Sequence, residues 1–131
     1  MTSKRLDPLF LAALILIYLH GLEEVLAGFQ HIDSFMEFGG RLFNTSTENF
    51  YWFSHLLWWL AVPVIFLIFR KKPIILPLLA LFGAVFFIET HHLVKSLLVQ
   101  SYYPGMITAF LYPIFGIYFY KELIGKWKHE T

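Results

Sequence analysis

Cysteine is absent from the 131-residue chain. That excludes disulfides, thiolate metal sites, iron–sulfur clusters and thiol nucleophiles, so any metal must be held by nitrogen and oxygen. Charge is scarce as well: 15% of residues are charged and the formal net charge is +1. The basic residues form no long stripe, so nothing points to a nucleic-acid partner. What is abundant is apolar side chain, 58% hydrophobic and 20% aromatic. A soluble domain this small could not bury so much apolar surface. With a mean hydropathy of +0.63, the chain reads as one membrane-embedded domain over residues 1–131, its apolar excess covered by lipid.

Hydropathy predicts an all-α fold, a four-helix transmembrane bundle with helices over approximately 8–29, 50–69, 73–98 and 105–124. Each segment is close to the ~20 residues that cross ~30 Å of hydrocarbon. A signal peptide is the competing reading of the first segment, since Lys4 and Arg5 precede it. Glu23 and Glu24 before any cleavage site, and the lack of an A-x-A pattern, argue against it. Lys4, Arg5, Arg70, Lys71, Lys72, Lys121, Lys126 and Lys128 fall on one side, against Arg41 and Lys95 on the other. The positive-inside rule then puts both termini in the cytoplasm. The connection from Gln30 to Asn49 predicts a long amphipathic loop, able to lie on the membrane as a lid. Thr45 and Glu48 have capping-box spacing for the second helix. Pro104 suits the first turn of the fourth. Pro63, Pro77 and Pro113 are expected to kink their helices.

Placing the ionisable residues by depth, at 1.5 Å per residue, gathers them near the non-cytoplasmic leaflet. His20, Glu23 and Glu24 come late in the first helix, His55 early in the second, Glu89, His91 and His92 late in the third. Tyr102, Tyr103, Thr108 and Tyr112 reach the same zone at the start of the fourth. The opposite halves are almost free of polar groups. A carboxylate near the bilayer centre costs about 2.5–3.5 kcal/mol and needs a partner. Arg41 and Lys95 both read as interfacial, which leaves protons or divalent metal.

Spacing favours metal. His20 shares a helix face with Glu23 or Glu24, and Glu89 with His92. The Glu-x-x-His unit is how di-iron and di-manganese bundles hold metal between facing helices. The candidate ligands are His20, Glu23, Glu24, His55, Glu89, His91 and His92, sufficient for two divalent ions bridged by carboxylate. Iron and zinc both suit such donors. The second and fourth helices lack the extra carboxylates of the di-iron bundles, and six histidines are too few for the histidine-box desaturases. His31 and His129 read as solvent-facing, and Asn44-Thr45-Ser46 as a chance sequon.

His20-Gly-Leu-Glu23-Glu24 resembles the signature of the HXXEE domain family, small multi-span membrane proteins largely of bacteria. Tyr102-Tyr103-Pro104-Gly105 is similar to the family's YxPG element, and His55, His91 and His92 fall where its further histidines are expected. The resemblance covers most of the chain. It implies a shared architecture, a shared polar site and a bacterial cytoplasmic membrane as the location; it supplies no substrate.

The expected function is an intramembrane metalloenzyme acting on a lipid or other apolar small molecule. Oxidative chemistry would follow with iron, hydrolysis or isomerisation with zinc, and Glu24 would act as acid or base. Tyr102, Tyr103, Thr108 and Tyr112 are expected around the substrate or behind the ligands. The alternative is a small proton-coupled transporter using the same cluster, which as a homodimer could surround a pathway. A bis-histidine haem bundle and a purely structural helix clamp are the remaining readings.

Overall fold

The computed structural model describes residues 5–72 and 74–130, with side chains through 128. Lys4, Pro73 and the side chain of His129, all used above, lie outside the described residues. Among the described residues the elements are all helical: α1 (Leu6–Leu26), α2 (Phe29–Ile32), α3 (Ser34–Leu42), α4 (Thr47–Phe69), α5 (Ile75–Gly83), α6 (Val85–Ile88), α7 (His91–Val99), α8 (Met106–Ala109) and α9 (Tyr112–Glu130). Three helical stretches, Leu6–Leu26, Thr47–Phe69 and Ile75–Val99, are long and apolar enough to cross a membrane. The fourth expected span is divided between α8 and α9, and the second half of α9 carries Lys121, Glu122, Lys126 and Lys128.

Local chemistry explains the boundaries. Ser46, one residue beyond the expected Thr45, caps α4 by accepting from the Asn49 N–H at 3.1 Å. Pro77 falls in the first turn of α5, where a missing N–H breaks no helical bond. Pro113 falls in the first turn of α9 and has no N–H to donate back to Ala109, where α8 ends. Pro104 does not open a helix: it lies outside α8, whose N-cap is Gly105.

The third span tightens without any proline. Thr90 N–H donates to Phe87 O at 3.3 Å, His92 N–H to Glu89 O at 3.2 Å and Leu93 N–H to Thr90 O at 3.0 Å. These i→i−3 bonds are 3₁₀-type, and in that geometry residues three apart eclipse. Glu89 and His92 are therefore stacked on one face at the break between α6 and α7.

The long connection after α1 is helical for most of its length rather than a loop. Asp33 caps α3, its Oδ1 accepting from Phe35 N–H at 2.9 Å and Met36 N–H at 3.1 Å. One face of α3 buries Met36, Gly39 and Gly40. Phe35, Phe38 and Leu42 stay exposed, the amphipathic character read from the sequence.

Two apolar clusters bracket the polar residues. The larger joins α1, α4, α5, α6 and α9 through Phe10, Phe66, Phe82, Phe86, Tyr112 and Phe119 among others. The Phe10 and Phe66 rings stack there at 3.8 Å between centroids. The smaller comprises Phe29, Met36, Tyr51 and Tyr103. By contrast α4 buries only Tyr51 and Phe66 of its 23 residues. Phe53, Leu57, Leu60, Val64, Leu67 and Ile68 are exposed, an apolar surface that lipid would cover.

Candidate metal centre

Four side chains from two spans converge between the clusters. His20, Glu24, Glu89 and His92 each bring one ligand atom, all within 4.8 Å of one another. His92 Nε2 lies 3.2 Å from Glu24 Oε1 and 3.1 Å from Glu89 Oε2. His20 Nε2 lies 3.3 Å from His92 Nε2 and 3.5 Å from Glu89 Oε2. His20 and Glu24 meet at i,i+4 on α1, Glu89 and His92 at i,i+3 across the tightened turn. Three of the four residues are buried; the Glu89 side chain keeps 24% of its surface exposed.

The chain supplies the backing. His92 Nδ1 is 2.5 Å from the Pro104 carbonyl, which can only accept, so Nδ1 carries a proton and Nε2 is the ring atom that faces the two carboxylates. Gly105 lets this happen. Its φ is +87°, and a Cβ there would sit 2.7 Å from His92 Nδ1 and 2.8 Å from His20 Cε1. Gly21 makes room in the same manner for the Trp59 indole, 2.2 Å from where its Cβ would be. Tyr112 packs edge-on against His20 at 4.9 Å, and Phe29 lies 5.0 Å from His92.

The other sequence-predicted residues sit around this group. His55, on α4, brings Nε2 to 3.4 Å from the second oxygen of Glu24, Oε2. Its Nδ1 is tied to the Tyr51 carbonyl at 2.9 Å. His91 lies alongside, with Nδ1 3.2 Å from Ile88 O and 3.8 Å from Glu89. Glu23 is outside the group and turned to α8. Its Oε1 accepts from Tyr102 OH and Ile107 N–H, both at 2.9 Å. Its Oε2 accepts from Thr108 N–H at 2.8 Å and the Thr108 hydroxyl at 2.6 Å. Thr108 Oγ1 in turn lies 2.6 Å from His20 Nδ1. His31 is exposed.

Outside the spans, the Tyr102 hydroxyl is pushed up to about 12, by burial and by its bond to Glu23. Tyr103 is raised too, by burial and by the Asp33 carboxylate.

Three contributors escaped the sequence reading. Tyr51 donates to Glu24 Oε2 at 3.0 Å; its position four residues before His55 is a signal that could have found it. Asp33, 1% exposed, accepts from Lys95 Nζ at 2.6 Å and Tyr103 OH at 2.9 Å. Lys95 thus serves Asp33 rather than the glutamates. The Pro104 carbonyl carries no side-chain signal at all.

A family described as "Protein of unknown function with HXXEE motif" matches residues 11–119. The chain belongs to the HXXEE family. No curated protein and no solved structure matches it. In HXXEE terms, His20 and Glu24 are the motif residues within the cluster and Glu23 is the one beside it. Together with Glu89 and His92, His20 and Glu24 could bind a metal ion.

Proposed function

We propose that the protein is an integral membrane metalloenzyme whose His20, Glu24, Glu89 and His92 hold a divalent ion, zinc or iron, and which acts on a lipid or other apolar small molecule. The observation that carries this reading is the convergence of two imidazoles and two carboxylates on one point, with His92 Nε2 3.1 and 3.2 Å from two carboxylate oxygens. Acceptors at that separation repel unless a proton or a cation lies among them. Two imidazoles and two carboxylates suit zinc or iron. Such an ion would supply Lewis acidity, or redox chemistry if iron.

Glu24 has an oxygen on each side, Oε1 toward His92 and Oε2 toward His55. A second ion would share Glu24 with His55, which is how a two-metal form would be built. Of the two carboxylates, Glu89 is the more open, 24% exposed against 3% for Glu24. Acid–base work on an incoming molecule therefore falls to Glu89 rather than to Glu24.

The proposed topology keeps four crossings with both termini cytoplasmic. In support, α8 and α9 run back along the full length of α1. Glu23 meets Ile107 and Thr108 at one end, and Arg5 meets Glu122 at 3.5 Å at the other. With that orientation the site lies toward the non-cytoplasmic leaflet. A proton-transport reading needs a polar path to the opposite face. The larger apolar cluster occupies that half of the bundle.

Metal analysis of the chelator-washed protein in detergent tests the reading. Between about one and two equivalents of zinc or iron per chain are expected. They should be lost in Glu89→Ala and His92→Ala proteins that keep their helical content. A metal-free protein that cannot be reloaded, together with pH-driven flux in vesicles, would overturn it in favour of transport.

A further inference from the structure

The two adjacent glutamates of the motif occupy different environments. Glu24 faces the cluster, whereas Glu23 is saturated by donors from α8 and from Tyr102. From this arrangement we infer that Glu23 is a positioning residue: acting through the Thr108 hydroxyl, it sets the tautomer of His20 so that Nε2 is presented bare to the metal position.

The inference rests on proton bookkeeping along one chain of atoms. An ionised carboxylate only accepts. The Thr108 hydroxyl has one proton and directs it to Glu23 Oε2 at 2.6 Å. Only lone pairs then remain on Thr108 Oγ1 for His20 Nδ1, 2.6 Å away, so Nδ1 must be the protonated nitrogen. Backbone N–H groups of Ile107 and Thr108 hold Glu23 on the same α8 turn, so the carboxylate and the hydroxyl move as a unit. His92 Nδ1 is held in a similar way, by the Pro104 carbonyl, one residue before the Gly105 that caps α8. Both imidazoles are thus set by the segment leading into and forming α8. Outer partners of this kind commonly govern ligand orientation and basicity.

Without the relay the balance reverses. Without the hydroxyl nothing accepts from Nδ1, and without Glu23 the hydroxyl is free to donate to Nδ1, with only the Gly105 carbonyl at 3.3 Å competing for its proton. In either case the His20 proton moves to Nε2, which Glu89 Oε2 faces at 3.5 Å and Glu24 Oε1 at 3.7 Å. The nitrogen that should bind metal would then be blocked.

The inference rests on the metal reading for its consequence but not for its geometry, so two readouts separate them. The first is the ¹⁵N spectrum of histidine-labelled, metal-free protein in micelles, above the imidazole titration range, with His20 assigned by its loss in His20→Gln. Wild type and Thr108→Ser should show His20 protonated at Nδ1. Thr108→Val, which keeps the backbone bonds to Glu23, should show it at Nε2, as should Glu23→Ala. The second is zinc affinity, expected to fall about 10–100-fold in Thr108→Val and Glu23→Ala and to return in Thr108→Ser. A Thr108→Val protein that retains the Nδ1 proton overturns the inference. So does unchanged zinc affinity in Thr108→Val when wild type binds zinc. A wild type that binds no zinc defeats the metal reading alone, and the spectra still decide the tautomer.

Discussion

At the scale of single residues, the centre depends as much on an atom that is missing as on those present. Gly105 has no Cβ, and the two imidazoles occupy the space one would fill. Its φ of +87° is also a conformation that other residues adopt only with strain. Gly105→Ala should therefore cost about 1–3 kcal/mol in backbone strain and push at least one ring out of line. Thermal unfolding in detergent should show a lower midpoint, and zinc titration a weaker site. Full retention of both would mean that the rings have room to spare. The YxPG resemblance marked this glycine only by its motif; its contact with His20 joins chain segments more than eighty residues apart.

Among the elements, α3 is tied to α7 and Tyr103 through one buried carboxylate, beside the apolar face it packs on α4. Asp33 caps its own helix and binds Lys95 of α7 and Tyr103. Burial alone would raise the Asp33 carboxyl. The Lys95 ammonium, the Met36 N–H and the Tyr103 hydroxyl outweigh it and hold the group below its ordinary value. A depressed carboxyl contributes stability above its ordinary value, near pH 4, and that stability is lost as pH falls through the folded value. Hydrogen-exchange protection over residues 33–42, taken relative to the intrinsic rate at each pH, should therefore fall below about pH 4. Asp33→Asn should exchange faster at neutral pH, with a cap and ion-pair loss of about 1–2 kcal/mol, and lose most of that acid response. Equal protection in variant and wild type would show that α3 is held by its apolar face alone.

Across the whole molecule, the distribution of lysine and arginine and the bare apolar surface of α4 lead to one expectation about orientation. Since cysteine is absent, single cysteines can be introduced without background. Cysteines at Lys71 and Lys126 should react with impermeant maleimide only after the cytoplasmic face is opened. One at Arg41 should react in intact cells. Labelling of positions 41 and 71 from the same face would reverse or collapse the proposed topology.

Much of this was legible along the chain. Apolar runs marked three of the long helical stretches because lipid imposes a length, and the clustering of histidine and glutamate at one end of the apolar runs marked which side chains meet because burying charge is costly. Three- and four-residue spacing paired His20 with Glu23 or Glu24 and Glu89 with His92, since helical geometry is local. The tertiary structure decided what depends on meetings between distant segments. It turned Glu23 toward α8, tightened the turn at Glu89 with no proline to announce it, and brought the Pro104 carbonyl to His92. It also gave Lys95 to Asp33. Hydrogen-bond partners are chosen by proximity in space, and a one-dimensional pattern specifies which groups need partners without specifying which ones they find.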